Sequence, residues 1–191
     1  MNLLVSSEDL YCNRGKEIIE FIRIIHPYPR NIQTKLIPQS GQMTIVVSDR
    51  YITSNQISVF DFRTTSKLLK ASYYEVWVKY DNFNHFLSKA YFHLYRTDNE
   101  YLETVREDGE YILLHCDPNE EGNHRDYKRS PHIHIEEAKF PINKAHFALN
   151  LMNLNEILSS KEKLDNALKV AITMLKEQVI EYKLLMRAIN S

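Results

Sequence analysis

The chain is poor in the residues that build flexible or repetitive proteins. Only 4 glycines and 6 prolines occur in 191 residues, which excludes collagen-like repeats, low-complexity tails and long flexible linkers. The 2 cysteines, Cys12 and Cys116, stand far apart, so there is no disulfide framework, CxxC pair or zinc-finger spacing. No apolar run approaches the about 18 residues that a membrane-spanning helix needs. The opening MNLLVSSEDL lacks the basic start and apolar length of a signal peptide. The expectation is a cytoplasmic protein in a reducing compartment, with no membrane as a partner. Neither sign of charge is in excess. A net charge of -1 removes the compositional argument for nucleic-acid binding, a basic domain, and leaves only a local basic patch open. The sequence also carries no P-loop, dinucleotide fingerprint, G-x-S-x-G elbow or HExxH helix, and no repeat of solenoid or propeller period.

What is present describes an ordinary globular chain, 43% apolar and 26% charged, long enough to bury a substantial core. We expect one α+β domain over 1–191: an N-terminal helix (1–29), a β-rich core (30–140) and a C-terminal helical segment (141–191). Ser6 and Asp9 fit a capping pattern, and Leu10, Ile18, Ile19, Phe21, Ile22 and Ile25 fit a helix over about Glu8–Ile25, ended by Pro27 and Pro29. Strands are expected at Thr34–Ile37, stopped by Pro38 and Gly41, at Met43–Ser48 and at Ile57–Phe60. A helical turn is expected at Ser66–Lys70.

Tyr73–Tyr80 (YYEVWVKY) and Lys89–Arg96 (KAYFHLYR) alternate with the period of half-buried strands, separated by a loop over Asp81–Leu87. Asp108-Gly109 reads as a turn introducing a strand Glu110–Cys116. Short connections favour an antiparallel meander. Asn143 is expected to cap a short helix carrying His146, Phe147 and Leu149. Ser159 and Glu162 form a second capping pattern, opening a helix over about Lys161–Arg187. Its stripe of Leu164, Leu168, Ile172, Leu175, Val179, Tyr182 and Met186 suits the covering of a sheet better than a partner helix. The fold class is α+β: a mainly antiparallel sheet flanked by an N-terminal helix and a long C-terminal amphipathic helix.

The chemistry concentrates in His115–Glu136, HCDPNEEGNHRDYKRSPHIHIE, which holds four of the eight histidines. Side chains alternate across a strand, so His132, His134 and Glu136 share one face. His115 and Asp117 share a face of the preceding strand, and strand pairing would bring the two sets together in a register that sequence does not give. Candidate catalytic residues are therefore His115, Asp117, His132, His134 and Glu136, with His146 a further imidazole. In one chemistry His132, His134 and Asp117 or Glu136 bind a divalent metal that generates hydroxide. In the other no metal is needed: one histidine is general base on a ribose 2′-hydroxyl and another general acid on the leaving oxygen. In the second, Arg125, Lys128 or Arg129 of the basic loop, beside His124, would hold a phosphate, and Tyr127 would stack a base; the metal-dependent chemistry would also suit hydrolysis of a small molecule. The bland alternative is a set of surface histidines at one sheet end. His85 and His93, with no acid or imidazole near them in sequence, read as structural.

Leu114-His115-Cys116-Asp117-Pro118-Asn119, then His124-Arg125, then Pro131-His132-Ile133-His134-Ile135-Glu136 and Phe140-Pro141 resemble TumE-like toxins of bacterial toxin–antitoxin and defence-island systems. In that family a strand ends in an R-Y-D-N-like turn, then come a loop, an H-x-H strand and a helix. The resemblance covers about 73–151, with His115-Cys116 in place of Arg-Tyr. It implies a toxin-like or phage-defence-associated protein acting on RNA, with an antitoxin or defence-complex subunit as partner. The competing expectation is a non-catalytic subunit of such a complex, binding a protein through its sheet and C-terminal helix.

Overall fold

In a computed structural model the described residues between Leu4 and Ala148 contribute nine strands to one antiparallel sheet. The structure describes residues 3–25, 32–48, 60–63, 68–97, 105–119, 121, 128–129, 131–135, 145–148 and 154–177. The strands are β1 (Leu4–Ser6), β2 (Gln33–Gln39), β3 (Gln42–Ser48), β4 (Phe60–Arg63), β5 (Leu68–Lys79), β6 (Asn84–Thr97), β7 (Val105–Cys116), β8 (His132–Ile135) and β9 (Ala145–Ala148). Their order is β2-β3-β5-β6-β7-β8-β9, with β4 paired to β5 and β1 paired to β6. The long strands β5 and β6 form the spine, each long enough to hold two neighbours along one edge, β3 and β4 on β5, and β1 and β7 on β6.

Several local expectations give way to this sheet. Leu68–Lys70 extends β5 rather than forming a helical turn, and Asn84–Leu87 already belongs to β6. Asp81 closes the intervening turn, its Oδ1 accepting from the backbone N–H of Phe83 and Asn84 at 2.7 and 2.8 Å. Asp108-Gly109 lies inside β7 and makes no turn. Pro38 sits within β2, which a strand at the sheet border tolerates because no ladder needs its missing N–H. The segment expected to be a short helix at His146 is instead β9, antiparallel to β8. At Leu68–Lys70 and at His146 pairing with a neighbouring strand outweighs the local signal, because ladder hydrogen bonds and shared burial are tertiary gains. Gly41 supplies the left-handed position, φ 74°, in the two-residue turn between β2 and β3.

The helices cover one face of the sheet. Ser6 caps α1 (Ser7–Asp9), which runs through a π-helical segment, Leu10–Arg14, into α2 (Gly15–Ile25). A short α3 (Leu154–Ile157) precedes α4 (Lys161–Met174). Its cap is Ser160, whose Oγ accepts from the Lys163 N–H, one residue later than the spacing of Ser159 and Glu162 suggested. Ser159 donates back to the Glu156 carbonyl instead. Ile18, Phe21 and Ile22 of α2 join Leu164, Leu168, Ile172 and Leu175 in a core with Met43, Ile45, Tyr73, Trp77, Phe92, Leu114 and Ile133. The first half of the C-terminal stripe is thus spent on the chain's own sheet. Val179, Tyr182 and Met186 lie outside the described residues.

One polar network is set into this core. Arg14, fully buried, donates from Nε and Nη2 to Glu75 at 2.9 and 2.6 Å. It also donates from Nη1 and Nη2 to Asp165 at 2.8 and 2.6 Å, and from Nη1 to Glu17 at 3.2 Å. Glu75 also accepts from Tyr73 Oη and Trp77 Nε1. Lys161 donates to Asp9 and Glu17 beside them. All five guanidinium N–H groups therefore have acceptors, which is the condition for burying such a charge. The π-helical turn places Arg14 at this point.

Candidate metal centre

The opposite face of the sheet carries His93, His115, His132 and His134. Register puts Tyr74, Tyr91, His115 and His132 in one cross-strand row, and Ser72, His93, Leu113, His134 and His146 in the next. Directly opposed residues on one face lie about 4.5–5.5 Å apart at Cβ, so the imidazoles collect without help from a loop. His115, His132 and His134 each offer a ligand atom, and these atoms lie within 4.8 Å of one another. The His115 ring is 4.3 Å from that of His134 and 5.9 Å from that of His132, centroid to centroid.

The surroundings hold these rings in place. Tyr91 stacks on His115 at 3.7 Å with planes 7° apart. Its hydroxyl donates to Asp117 Oδ1, while Asp117 Oδ2 lies 3.9 Å from His132 Nε2, too far for a hydrogen bond. The basic loop returns to the end of β7: Asp117 N donates to the Lys128 carbonyl at 2.9 Å, and Cys116 Sγ to the Arg129 carbonyl at 3.2 Å. Cys116 faces the core, where burial pushes its thiol well above the ordinary value. It is no nucleophile.

Burial also sets the protonation of the cluster. His132 is fully buried, and His93, His115 and Asp117 nearly so. Desolvation draws His93 down to about 4. The same burial, reinforced by His93, His134, His132 and Lys89, draws His115 down to about 2. Both rings are neutral near pH 7, the form in which imidazole binds a metal. A ring held so far down is not an imidazolium at that pH, so it is a poor general acid and a weak base.

The structure therefore brings together His115, His132, His134 and Asp117 from the residues singled out by sequence. Glu136, His124 and Arg125 lie outside the described residues. Lys128 and Arg129 are half-buried, and their carbonyls anchor the loop. His93 is the residue that sequence reasoning misplaced. It is not an isolated structural histidine: its Nε2 lies 2.9 Å from His115 Nε2. Its period-two relation to Tyr91 and Tyr95 was visible, but the register that aims this face at β7 was not. His85 keeps a structural contact, with Ser7 Oγ 3.2 Å from its Nδ1.

Fold and site together define an α+β protein with helices on one sheet face and a buried polyhistidine cluster on the other. No family model matches the chain, and neither does any curated protein or solved structure.

Proposed function

We propose that this protein is a metal-dependent hydrolase of phosphodiester bonds, with RNA the substrate class. One observation carries the metal: three imidazole ligand atoms from two paired strands within 4.8 Å, beside the Asp117 carboxylate. A tetrahedral ion with nitrogen ligands at about 2.0–2.1 Å needs those atoms about 3.3 Å apart, so closing the site moves them by about 1.5 Å at most. Imidazole with one carboxylate suits zinc, manganese or a similar divalent ion. His115, His132 and His134 would hold the ion, and Asp117 would supply a fourth oxygen or orient a bound water. Held there, the ion would supply a water ionised near neutral pH as the nucleophile. The return of the basic Lys128-Arg129 segment to Asp117 supports a phosphate-bearing substrate. The neutral state of His93 and His115 favours this route over a metal-free acid–base pair. The toxin-like or defence setting rests on the TumE-like resemblance.

The test is elemental analysis and cobalt(II) titration of the purified protein, followed by RNA cleavage with the loaded enzyme. We expect one ion per chain, lost in His132→Ala and His134→Ala together with cleavage. Wild-type protein that takes up no divalent metal defeats the proposal. Growth arrest on expressing wild type but not His134→Ala would support the toxin-like setting, and its absence would count against that setting.

The complete burial of His132 favours a second reading, a closed structural metal site in a non-catalytic subunit. Azide separates the two: it perturbs the cobalt(II) spectrum of an open site and leaves a closed, four-coordinate one unchanged.

A further inference from the structure

A line of hydrogen bonds leads away from the cluster. His115 Nε2 lies 2.9 Å from His93 Nε2, and His93 Nδ1 lies 3.4 Å from Tyr95 Oη. Tyr95 Oη in turn lies 3.0 Å from Ser72 Oγ. The four side chains come from three neighbouring strands, β5, β6 and β7. Ser72 is fully buried and His93 nearly so.

We infer that His93 is a positioning residue that fixes the proton of His115 on Nε2 and so presents Nδ1 of His115 to the metal. This rests on the metal-centre reading above. The reasoning is an accounting of donors and acceptors. Between two ring nitrogens 2.9 Å apart, one carries a hydrogen and the other accepts it. An Nε2 engaged with His93 cannot also ligate an ion, so the free ligand atom of His115 is Nδ1. A neutral imidazole bound through Nδ1 carries its proton on Nε2, and His115 is then the donor. His93 accepts at Nε2, and its own proton belongs on Nδ1, where it is donated to Tyr95 Oη. The Tyr95 hydroxyl donates onward to Ser72 Oγ.

Every bond of the line then has one donor and one acceptor. With the opposite polarity His115 would carry its proton on Nδ1, where a metal cannot bind. Tyr91, stacked flat on His115, fixes the ring plane but does not distinguish its two flips. The bond to His93 does. Metal-binding histidines commonly rely on such an outer partner to hold their tautomer, and its loss costs about 10–100-fold in metal affinity.

The experiment uses zinc on the full chain. In protein with nitrogen-15-labelled histidine, long-range proton–nitrogen spectra of the zinc-loaded wild type are expected to show His115 protonated at Nε2. Zinc affinity is expected to fall about 10–100-fold in His93→Leu. It should recover most of the way in His93→Gln, whose amide oxygen can accept from His115. A purely structural role for His93 would not fix the tautomer. His115 protonated at Nδ1 in the loaded protein, or His93→Leu binding zinc as tightly as wild type, overturns the inference and leaves the metal centre standing. Wild type that binds no zinc overturns both. Should His93→Leu fail to fold, the tautomer in wild type and the affinity of His93→Gln decide the matter.

Discussion

Arg14 and Glu75 lie 61 positions apart in the chain and meet in the core through two hydrogen bonds, 2.9 and 2.6 Å long, with both side chains fully buried. The pair ties the N-terminal helical segment to the central strand β5, and Asp165 adds α4 to the same guanidinium. Burial raises the Glu75 carboxyl, but the charge and hydrogen bonds of Arg14, with those of Tyr73 and Trp77, outweigh it and hold the group below its ordinary value.

Removing one member of this pair leaves a buried charge behind. Arg14→Met should therefore destabilise the protein by about 3–5 kcal/mol. Adding Glu75→Gln should return part of that loss, since the second change removes the orphaned carboxylate. Urea denaturation of both variants at neutral pH checks this. A double variant less stable than Arg14→Met would contradict it.

Acid should weaken the metal-free protein from the histidine face. Burial holds His93 at about 4 and His115 at about 2, whereas histidines of an unfolded chain titrate near about 6.5. Below that value the unfolded chain takes up protons that these two rings refuse. Stability is present above about 6.5 and falls with pH by about 1.4 kcal/mol per unit for each group, down to about pH 4 for His93. Comparing urea midpoints at pH 7.5 and pH 5 tests the sign, and His93→Gln should flatten the slope.

Helix α2 approaches β2 closely at its first residue. A Cβ on Gly15 would stand 2.5 Å from Thr34 Oγ1. Gly15→Ala should thus destabilise by about 1–3 kcal/mol, although alanine is otherwise worth about 1 kcal/mol over glycine in a helix. Thr34→Ala in the same chain removes the obstructing oxygen and should restore most of the stability. Thermal unfolding of the single and double variants measures the coupling.

The apolar stripe of α4 gives a separate prediction. Leu168 and Leu175 are buried against the chain's own core, so Leu168→Ala should cost about 2–5 kcal/mol. Leu175→Glu should unfold the protein rather than release a partner from a folded one. Circular dichroism distinguishes these outcomes directly.

Much of this protein was legible in its sequence because alternation and helical spacing are local properties. YYEVWVK and KAYFHLYR, both with period two, fall within the central strands β5 and β6, Tyr80 lying just past β5, and the stripe from Leu164 to Leu175 packs as its spacing implied. His132 and His134 had to share a face for the same reason, and both do. Strand limits were less legible. Asp108-Gly109 looked like a turn but falls inside β7, where its register with β6 shifts, and His146 looked like part of a helix but pairs in β9 with β8. Tertiary structure alone decided who meets whom. Pairing of β6 with β7 set His93 beside Leu113 and Tyr91 beside His115, and a slip of one residue would have turned every imidazole of one strand to the opposite face. The sequence determined that histidines would line a strand. Only the register, fixed by burying Phe92, Leu114 and Ile133 on the helix side, determined that they would form a cluster.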